Sequence, residues 1–564
     1  MAGSISAQDL KALLDSQALY AVIDVRDWGE FSLGQIPGTN CIPRGSLEKY
    51  ISVLVPKTDI HTVLYCDTGQ RSTRAALSLE TLGYTNVSVL DSGLTAWTAA
   101  GYETMHGWSL RGKIYGERLQ VEEDIPEMTA EELHARLQQG EQLYIFDTRT
   151  EPEFKAAHLP GAYCAPGGQL ALIAPEVVPD KGRTIVTNCA GRTRSLLGAH
   201  TLRRMGFTDV YALKGGTGAW RIAGYTEELE KGDGVPVPRL SETGISTCKQ
   251  FAEHVATQDN ISSITPQDLH ARQEKGELLY LLDVRLLDEY RAGHIPGTHF
   301  CPATQIALLV ESLVGVKNAP IITMCAGRAR AILAASVLKG AGYPNVSVLD
   351  GGTTAWKASG FDLETGDPQE IDFGQPVWMA RLLQGLPAGV KPLALPIPGL
   401  AEAPAQAELL TPQALQTQLD AGQRPALLDV RSLGDFATAH VPGALWLSRG
   451  KLDLQIEHEV PDKTTLVVLM CRKGNLSPLS VPTLKAMGYT RVAVLQGGFD
   501  TWQAAGLPTE QGLGDLSSNA ELEQLAIEEV GLFGSGPYGF SHERMAKYLR
   551  DEEELGQKYQ RKRV

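Results

Sequence analysis

Four cysteines stand in short loops where an apolar run, which predicts a strand, changes within a few residues to a helical pattern. One loop, Cys189 to Ser195, follows the apolar run from Thr184 to Thr187. At a strand end that turns at once into a helix, backbone N–H groups and the positive end of the helix converge on the side chain. Such a setting is expected to lower the pKa of a thiol and to hold an anion beside it. The loops therefore predict nucleophilic sulfur chemistry on anionic substrates.

The four loops share a cysteine, a glycine and positive charge. The candidate nucleophiles are Cys66, Cys189, Cys325 and Cys471, and the loop glycines are Gly69, Gly191, Gly327 and Gly474. The cations expected to bind substrate are Arg71, Arg192, Arg194, Arg328, Arg330, Arg472 and Lys473. The fourth loop differs, because Leu476 stands where the others have arginine, and Pro482 is expected to strain the helix that follows. We interpret Cys471 either as a specialised site or as a decaying one.

The loops recur because the whole unit around them is repeated four times. Each unit begins with a helix-start signal, which is followed in order by Asp-x-Arg, a Pro-Gly turn, the cysteine loop and a tryptophan. The interval from Asp24 to Cys66 is 42 residues and that from Cys66 to Trp97 is 31 residues, and both recur in every unit. Identical intervals in four copies indicate tandem duplication with a constant core geometry.

Within each unit, short apolar runs alternate with helical patterns. Runs such as Leu466 to Leu469 are apolar without alternation, as in strands that are buried on both faces. This pattern predicts an α/β fold with a mainly parallel sheet and helices on both faces. Ligands of such sheets bind at the carboxyl ends of the strands, which is where each cysteine falls.

The Asp-x-Arg, Glu-Phe, His-Ile-Pro-Gly, cysteine-loop and Gly-Gly-x-x-x-Trp motifs together resemble the rhodanese homology domain. The resemblance implies four tandem rhodanese-like domains, each with a five-stranded, mainly parallel sheet, and transfer of sulfane sulfur through a cysteine persulfide. Unit 1 departs from the pattern at Gln35, where the other units have histidine. We predict domains at residues 1–103, 124–226, 260–363 and 406–510, followed by an accessory helical tail at residues 511–564.

By this resemblance we expect a thiosulfate sulfurtransferase that acts on small anionic sulfur donors. A thiolate would take the outer sulfur of thiosulfate or a similar donor and pass it to cyanide, a thiol or a protein cysteine. Cysteine phosphatases of the same fold enclose five residues between cysteine and arginine, whereas Cys66 and Arg71 enclose four, which disfavours phosphate. Two alternatives stay open: a sulfur relay between domains, and a binding or regulatory scaffold without catalysis. No cofactor and no metal site are predicted.

The other cysteines and the repeated polar motifs are interpreted as structural. Cys41, Cys164 and Cys301 follow the Pro-Gly turns and are expected in the core, with a resolving or relay role as the alternative. Cys248 lies in a connection between units and stays undecided. Each Asp-x-Arg is expected to form an ion pair, and the tryptophans to pack in the core.

Composition limits the class of partner and the compartment. A formal net charge of −15 over 564 residues argues against nucleic acid or an anionic membrane as the main partner. No apolar run approaches the roughly 20 residues of a membrane span, and Met1 to Leu10 shows no secretory signal. Eight cysteines, four of them in reactive-looking loops, favour a reducing compartment, so we expect the cytoplasm. The tail is expected to pack on the domains or to form a homodimer contact, with disorder as the alternative.

Overall fold

The computed structural model describes residues 2–369, 371–372, 377–387, 390, 393, 395, 407–514, 520–530 and 540–558. Each unit repeats one alternation of strands and helices, and we number the elements in chain order. Unit 1 comprises β1 (Gly3–Ile5), α1 (Ala7–Leu14), β2 (Tyr20–Asp24), α2 (Trp28–Leu33), β3 (Asn40–Cys41), α3 (Leu47–Leu54), β4 (His61–Tyr65), α4 (Gln70–Thr81), β5 (Val87–Leu90) and α5 (Gly93–Ala99). Helix α6 (Leu110–Glu122) connects it to unit 2.

Unit 2 comprises β6 (Glu127–Met128), α7 (Ala130–Gln138), β7 (Tyr144–Asp147), α8 (Glu151–Ala156), β8 (Ala162–Cys164), α9 (Gly167–Val177), β9 (Ile185–Asn188), α10 (Thr193–Arg204), β10 (Val210–Leu213) and α11 (Gly216–Ile222). Helix α12 (Glu242–Gln258) follows. Unit 3 comprises β11 (Ser262–Ile264), α13 (Pro266–Glu274), β12 (Tyr280–Asp283), α14 (Leu287–Ala292), β13 (His299–Phe300), α15 (Ile306–Leu309), β14 (Val316–Lys317), β15 (Ile321–Met324), α16 (Ala329–Gly340), β16 (Val346–Leu349) and α17 (Gly352–Ala358).

Helix α18 (Val377–Gln384) lies in the connection to unit 4. Unit 4 comprises β17 (Glu408–Leu410), α19 (Pro412–Asp420), β18 (Ala426–Asp429), α20 (Leu433–Thr438), β19 (Leu445–Trp446), α21 (Leu452–Glu459), β20 (Val467–Met470), α22 (Val481–Ala486), β21 (Val492–Leu495) and α23 (Gly498–Ala504). The tail contributes α24 (Ala520–Val530) and α25 (His542–Lys558).

The predicted α/β architecture with four mainly parallel sheets is confirmed. Unit 2 has the strand order β6-β10-β9-β7-β8, and units 3 and 4 repeat it with their own strands, all paired in parallel. Both faces of each sheet are buried. In unit 4, Leu427 and Val468 pack into one hydrophobic cluster, whereas their neighbours Leu428 and Leu469 pack into the cluster on the opposite face. The cysteine-bearing strand is central in every sheet, so the loop that follows it lies at the middle of the carboxyl edge.

Unit 1 has one strand more than the sequence predicts. Strand β14 of unit 3 pairs antiparallel with β2, with Val316 opposite Ala21 and Lys317 opposite Tyr20. It extends the edge of the sheet beside the short β3, which pairs with the other end of β2. This pairing covers part of an open strand edge. It also joins units 1 and 3 through backbone hydrogen bonds as well as through side chains.

The repeated polar motifs are structural, as predicted. In each unit the arginine of Asp-x-Arg donates to both oxygens of a fully buried aspartate, for example Arg149 to Asp147 at 2.7–3.1 Å. The ring of His158 stacks on Phe154 and its Nδ1 lies 2.9 Å from that residue's carbonyl oxygen. Trp220 is fully buried, and its indole N–H donates to a backbone carbonyl. These contacts hold the backbone around the ends of the strands in place.

The connections and the tail pack against the units. Helix α6 contacts α10 of unit 2 and α15 and α16 of unit 3, and α25 packs along it. Helix α24 packs against α2 of unit 1 and α20 of unit 4. The tail is therefore a packing element, one of its two expected roles, whereas its Gly-rich segment at 531–539 and its basic end at 561–563 lie outside the described residues. Within the described ranges, none of the helices combines the length and apolar character that a bilayer crossing requires.

Units 1 and 4 dock through the same segment of each unit, just after the third strand. Arg44 pairs with Asp453 at 2.5 Å, and Arg449, which occupies the equivalent position in unit 4, pairs with Glu48 at 2.8 Å. Each arginine also donates to a backbone carbonyl of the other unit at 2.8–2.9 Å. These side chains are mostly buried, so the interface depends on ion pairs between charged groups that are largely shielded from water.

We predict that Arg449→Glu loosens the docking of unit 4, because it sets two carboxylates against each other. Removing one charge-assisted hydrogen bond costs roughly 1.5–3 kcal/mol, so unit 4 should unfold in a separate, earlier thermal transition. Combining Arg449→Glu with Glu48→Arg restores opposite charges and should merge the transitions again. A single transition at the wild-type temperature in the Arg449→Glu variant, measured by calorimetry, would contradict this role.

Candidate active site

Each candidate cysteine is the residue that follows the central strand of its unit. Cys66 follows β4, Cys189 follows β9, Cys325 follows β15 and Cys471 follows β20. All four are free and buried, with 0–3% of their surface exposed. The structure thus places the predicted nucleophiles in four equivalent positions at the carboxyl edges of the sheets.

The start of the helix that follows the next strand forms a hydrogen bond with the backbone of each cysteine. The N–H of Thr217 on α11 donates to the carbonyl oxygen of Cys189 at 2.8 Å, and equivalent bonds of 2.7–2.9 Å reach the other three cysteines. The helix approaches so closely that a Cβ at Gly216, where φ is +54°, would overlap that carbonyl oxygen. Glycine is required there by both space and backbone conformation. This explains the glycine that precedes each repeated tryptophan.

In the first and fourth loops, backbone N–H groups donate hydrogen bonds to the sulfur. The N–H of Gly69 donates to Cys66 Sγ at 3.1 Å. The N–H groups of Leu476 and Ser477 donate to Cys471 Sγ, both at 3.3 Å. Donors fixed in this way stabilise negative charge on sulfur without needing to reorganise.

A serine six residues after the cysteine also lies at the sulfur in three of the loops. Ser72 Oγ is 3.5 Å from Cys66 Sγ, Ser195 Oγ is 3.6 Å from Cys189 Sγ, and Ser477 Oγ donates to Cys471 Sγ at 3.3 Å. Unit 3 has Ala331 at this position. These serines were not predicted from the sequence, although their recurrence at one interval was a usable signal.

The arginines at the end of the first three loops are held by a carboxylate of their own unit. Arg71 forms a two-pronged ion pair with Glu30 at 2.7 Å, and Arg194 does the same with Glu153 at 2.7–2.9 Å. Arg330 pairs with Glu289. In each of these units the glutamate belongs to the repeated Glu-Phe motif, which reads Glu-Tyr in unit 3. These guanidinium groups therefore have fixed orientations, and their predicted contact with substrate stays a prediction.

Arg192 is buried and paired with carboxylates, and its predicted contact with substrate stays a prediction. Its guanidinium forms two hydrogen bonds with Glu117 of α6, at 2.8 and 2.9 Å, and ion pairs with Glu127 and Glu553. Burial raises the pKa of Glu117 to about 7, against the two interactions with Arg192, and nearby Glu552 adds to the rise. The contacts tie the Cys189 loop to α6 and to the tail helix α25.

The remaining predicted cations are more exposed. Arg328 is half-buried and lies 3.3 Å from Asp350 and 3.5 Å from Glu253. Arg472 lies 3.4 Å from Asp500, and Lys473 is exposed. Their expected role at the donor stays a prediction.

Unit 4 differs from the sequence expectation in the helix that follows its cysteine loop. Pro482 does not strain a helix interior, because the helix is broken: a 3-10 turn at Ser477–Ser480 precedes α22, and Pro482 stands in the first turn of α22. Arg449 supplies a cation that was not predicted from the sequence. Burial opposes its charge, but Glu48, the Cys471 thiolate and Asp453 together raise the pKa of Arg449.

Two of the sites receive a side chain from another unit. Gln305 of unit 3 accepts a hydrogen bond from Arg194 at 3.1 Å, and its amide donates to the carbonyl of Leu382. Lys451 of unit 4 lies 3.4 Å from Glu30, the partner of Arg71. Gln305 and Lys451 occupy the same position in the repeat, 20 residues before the cysteine of their own unit. The units are therefore paired at their sites, 1 with 4 and 2 with 3.

The expected lowering of the thiol pKa is wrong for Cys325. Burial raises the pKa of Cys325 above its ordinary value of 9.0, although Arg330 and the N–H groups of Ala331 and Gly327 act in the opposite direction. The stabilisation by water that a thiolate loses on burial at Cys325 exceeds the stabilisation that Arg330 and the loop N–H groups provide. Desolvation was not visible in the sequence.

The structural interpretation of the other cysteines is confirmed for Cys41 and Cys301, which are buried, whereas Cys164 is only half-buried. Burial raises the pKa of Cys164 to about 12. Cys248 is buried on α12, and burial raises its pKa to about 11. None of these settings favours a thiolate.

Known proteins match both the units and the whole chain. A family profile described as the Rhodanese-like domain matches residues 6–100, 129–223, 265–359 and 411–505. The crystal structure of a thiosulfate sulfurtransferase from Pseudomonas aeruginosa is similar over 98% of this chain and 97% of its own, with a TM-score of 0.80 and 29% sequence identity.

Curated relatives match single units. The probable adenylyltransferase/sulfurtransferase MoeZ of Mycobacterium tuberculosis is 33% identical over 94 residues, which are 17% of this chain and 24% of MoeZ. The putative sulfur carrier protein YrkF of Bacillus subtilis is 32% identical over 94 residues, which are 17% of this chain and 50% of YrkF. The chain thus spans half or less of the length of these two relatives.

We predict that Glu117→Gln flattens the dependence of stability on pH between about 4.5 and 7. In this window folded Glu117 keeps a proton that the unfolded chain has released, because its pKa is raised from 4.5 to about 7. Its contribution is therefore complete below pH 4.5 and is lost as pH rises through 7, by at most about 3 kcal/mol. Urea unfolding at a series of pH values measures the slope.

The control is Glu131→Gln, an exposed carboxylate of unit 2, which should leave the slope unchanged. A Glu117→Gln variant with the wild-type slope would mean that Glu117 does not titrate in this window.

We also predict that alkylation of Cys325 reaches half its maximal rate above pH 9, because burial raises the pKa of this thiol. Glu289→Gln removes the charge that neutralises Arg330 and should move the midpoint to lower pH. Glu364→Gln, an exposed carboxylate of the same unit that lies 3.8 Å from His294, is the matched control. Peptide mass spectrometry follows Cys325 alone, and a midpoint at or below pH 9 in the wild type would overturn the assignment.

Proposed function

The chain belongs to the rhodanese family, and from this premise we propose that it is a sulfurtransferase that carries sulfane sulfur on cysteine persulfides. The observation that carries the proposal is the setting of the four sulfurs at the central strand ends. Loop N–H groups point at Cys66 and Cys471, and a serine hydroxyl lies beside three of the sulfurs. A persulfide is an anion on the outer sulfur, and such a cradle stabilises it without a metal ion.

The proposed reaction has two displacements. In the first, the cysteine thiolate attacks the outer sulfur of thiosulfate, the S–S bond of the donor breaks, and the electron pair leaves with sulfite. In the second, a thiophilic acceptor attacks the outer sulfur of the persulfide, and the electron pair returns to the cysteine as thiolate. Neither step needs an external oxidant or reductant. Cyanide, a small thiol and a protein cysteine are all acceptors of the required kind.

Thiosulfate is the donor we propose on two grounds. It is a small anion that suits a loop with four residues between cysteine and arginine, and the similar Pseudomonas aeruginosa protein is named a thiosulfate sulfurtransferase. Phosphate is disfavoured because only four residues separate the cysteine and the arginine of the first three loops, which is a short loop for a tetrahedral phosphoryl group with an in-line leaving oxygen.

A sulfur relay is the second candidate, and the pairing of the sites favours it. Gln305 and Lys451 bring unit 3 to the site of unit 2 and unit 4 to the site of unit 1. In a relay, one cysteine of a pair would accept sulfur from the donor and hand it to the other. A binding scaffold without catalysis would use the same pairing without forming a persulfide.

We predict that thiosulfate adds sulfur to each of the four loop cysteines. Intact mass should rise in steps of about 32 Da, one for each persulfide. Each single Cys→Ser variant at positions 66, 189, 325 and 471 should lose one step and a share of thiocyanate formation from cyanide. Cys164→Ser, a half-buried cysteine outside the loops, is the control and should behave as the wild type.

The outcomes separate the candidates. If one variant abolishes all steps, its cysteine is the entry point of a relay. If the wild type gains no mass from any sulfane donor, the proposal of sulfur transfer fails and the scaffold remains.

A further inference from the structure

A cavity of about 140 Å³ lies where unit 1, helix α6 and unit 3 meet. Its walls come from the end of α1 and the start of β2, from Arg111 of α6, and from two segments of unit 3, one containing β14 and one following α16. Strand β2 begins at Tyr20, and β15 begins two residues after Ala319. The cavity therefore lies at the amino edge of these sheets, opposite the cysteine loops, and belongs to none of the four candidate sites.

Lys317 points into this cavity from β14. It stands opposite Tyr20 in the antiparallel pairing with β2, and residues paired in this way project from the same face of a sheet. Tyr20 lines the cavity together with Asp15 at the end of α1. The neighbouring Val316 projects from the other face, into the main hydrophobic cluster. The side chain of Lys317 consequently lies on the side of the cavity.

Lys317 is a buried cation without a counterion. Only 8% of its surface is exposed, and its ammonium group has neither a hydrogen-bond acceptor nor an ion-pair partner among the described residues. Burial lowers the pKa of Lys317 well below its ordinary value, and the charge of Arg111 lowers it further, whereas Glu311 acts in the opposite direction. A buried ammonium group without a partner is costly. A negative charge beside it would offset that cost.

Arg111 brings a second positive charge to the same place. Its guanidinium lies over the ring of Tyr343, 5.0 Å from the ring centre. No carboxylate in the described part of the chain lies within ion-pair distance of it. Arginine is always charged and offers several N–H donors, which suit the oxygens of an anion.

The acids near the cavity have other partners. The carboxylate of Glu311 accepts hydrogen bonds from the backbone N–H groups of Leu110 and Arg111, at 3.2 and 2.8 Å. Asp15 is largely exposed and forms an ion pair with Lys11. Neither acid pairs with the guanidinium or with the ammonium group that faces the cavity. Two cations are thus left without a paired carboxylate.

A hydroxyl group adds a neutral donor to the two cations. Tyr343 lines the cavity, and its buried hydroxyl has no hydrogen-bond partner among the residues that the structure describes. Burial raises the pKa of Tyr343, whereas nearby Arg111 lowers it. The hydroxyl therefore keeps its proton at neutral pH and can donate it to an acceptor in the cavity.

The wall between units 1 and 3 is held in place by Asn318. This residue follows β14 with a φ of +60°. Its side-chain amide donates to the carbonyl oxygens of Ser16 and Ala18, at 3.3 and 2.9 Å. The turn after α1 and the end of β14 are thereby fixed to each other, which keeps the cavity formed without a ligand.

The volume restricts the ligand to a small ion. Sites for organic ligands usually measure about 300–1,000 Å³, which is well above the volume found here. At the roughly 30 Å³ that one water molecule occupies in the liquid, the cavity holds about five heavy atoms. Sulfate, sulfite and phosphate have this size, and two negative charges would balance the two cations.

We propose that this cavity binds a small divalent oxyanion of sulfur or phosphorus between Lys317, Arg111 and the Tyr343 hydroxyl, and that the bound anion stabilises the pairing of β14 with β2. The anion would join the helix after unit 1 to two segments of unit 3. Its source is either the free pool of sulfate and phosphate or the sulfite that the reaction proposed above releases from thiosulfate. The site itself does not depend on sulfur transfer.

The test measures hydrogen exchange in the full chain, at the peptide that contains β14. Sulfate, phosphate or sulfite replaces chloride at constant ionic strength. The anion concentration that halves the exchange rate gives the dissociation constant, and at about ten times that concentration exchange should be slowed about 10-fold. Peptides from the cysteine loops report separately on any anion bound there.

Variants identify the groups that hold the anion. Lys317→Met and Arg111→Met each keep the hydrocarbon stem and remove the charge, and each should raise the dissociation constant about 10-fold or more. Lys317→Arg should restore most of the affinity. Tyr343→Phe removes a neutral donor and should raise the dissociation constant only about 3-fold. The matched control is Lys275→Met, an exposed lysine of unit 3, which should bind as the wild type does.

The outcomes also separate the sources of the anion. Equal slowing by all three anions supports a site for free oxyanions, and slowing by sulfite alone supports the reaction product as the ligand. The proposal is overturned if no oxyanion slows exchange at β14 more than chloride does, or if Lys317→Met responds like the wild type. Persulfide loading from thiosulfate should be unchanged in Lys317→Met, so a failure of the anion site is distinguishable from a failure of sulfur transfer.

Discussion

The site depends on one close approach, between the backbone of each loop cysteine and the start of the helix that follows the next strand. The carbonyl oxygen of Cys189 accepts the N–H of Thr217, and Gly216 leaves no space for a side chain between them. With the carbonyl fixed on one side, the loop N–H groups can face the sulfur on the other. The buried Asp–Arg pair and the buried tryptophan then hold the two turns at this distance. The four sites share this backbone arrangement, and they differ in the side chains around it.

The differences among the sites come from what each unit meets outside itself. Unit 2 receives Gln305, the tail helix α25 and a cavity of about 830 Å³, whereas unit 1 receives Lys451 beside its Glu30–Arg71 pair. Unit 4 lacks a loop arginine, and its Arg449 forms an ion pair with Glu48 of unit 1. Duplication produced four units with the same backbone arrangement at the cysteine. The packing of the units against one another gave the four sites different surroundings.

The sequence predicts what is repeated and local, and it fails where contacts are long-range and occur once. The intervals around Cys66 predict the strand, the loop and the helix, and the repeated Asp-x-Arg predicts an ion pair inside one unit. Nothing in the repeat indicates that β14 joins the sheet of unit 1 or that α25 lies over the Cys189 loop, because each contact joins segments hundreds of residues apart. The raised pKa of Cys325 was missed for the related reason that desolvation depends on everything packed around the thiol.

Strand β14 also has a consequence for the order in which the protein can be completed. A ribosome makes the chain from its amino end, so unit 1 emerges with part of the edge of β2 uncovered, and its antiparallel neighbour follows only when most of unit 3 has been synthesised. During that interval the nascent chain exposes backbone groups that another strand can pair with. Unit 1 is thus the first domain to be made, yet its sheet is finished by a segment from the third, which makes an isolated unit 1 an incomplete domain.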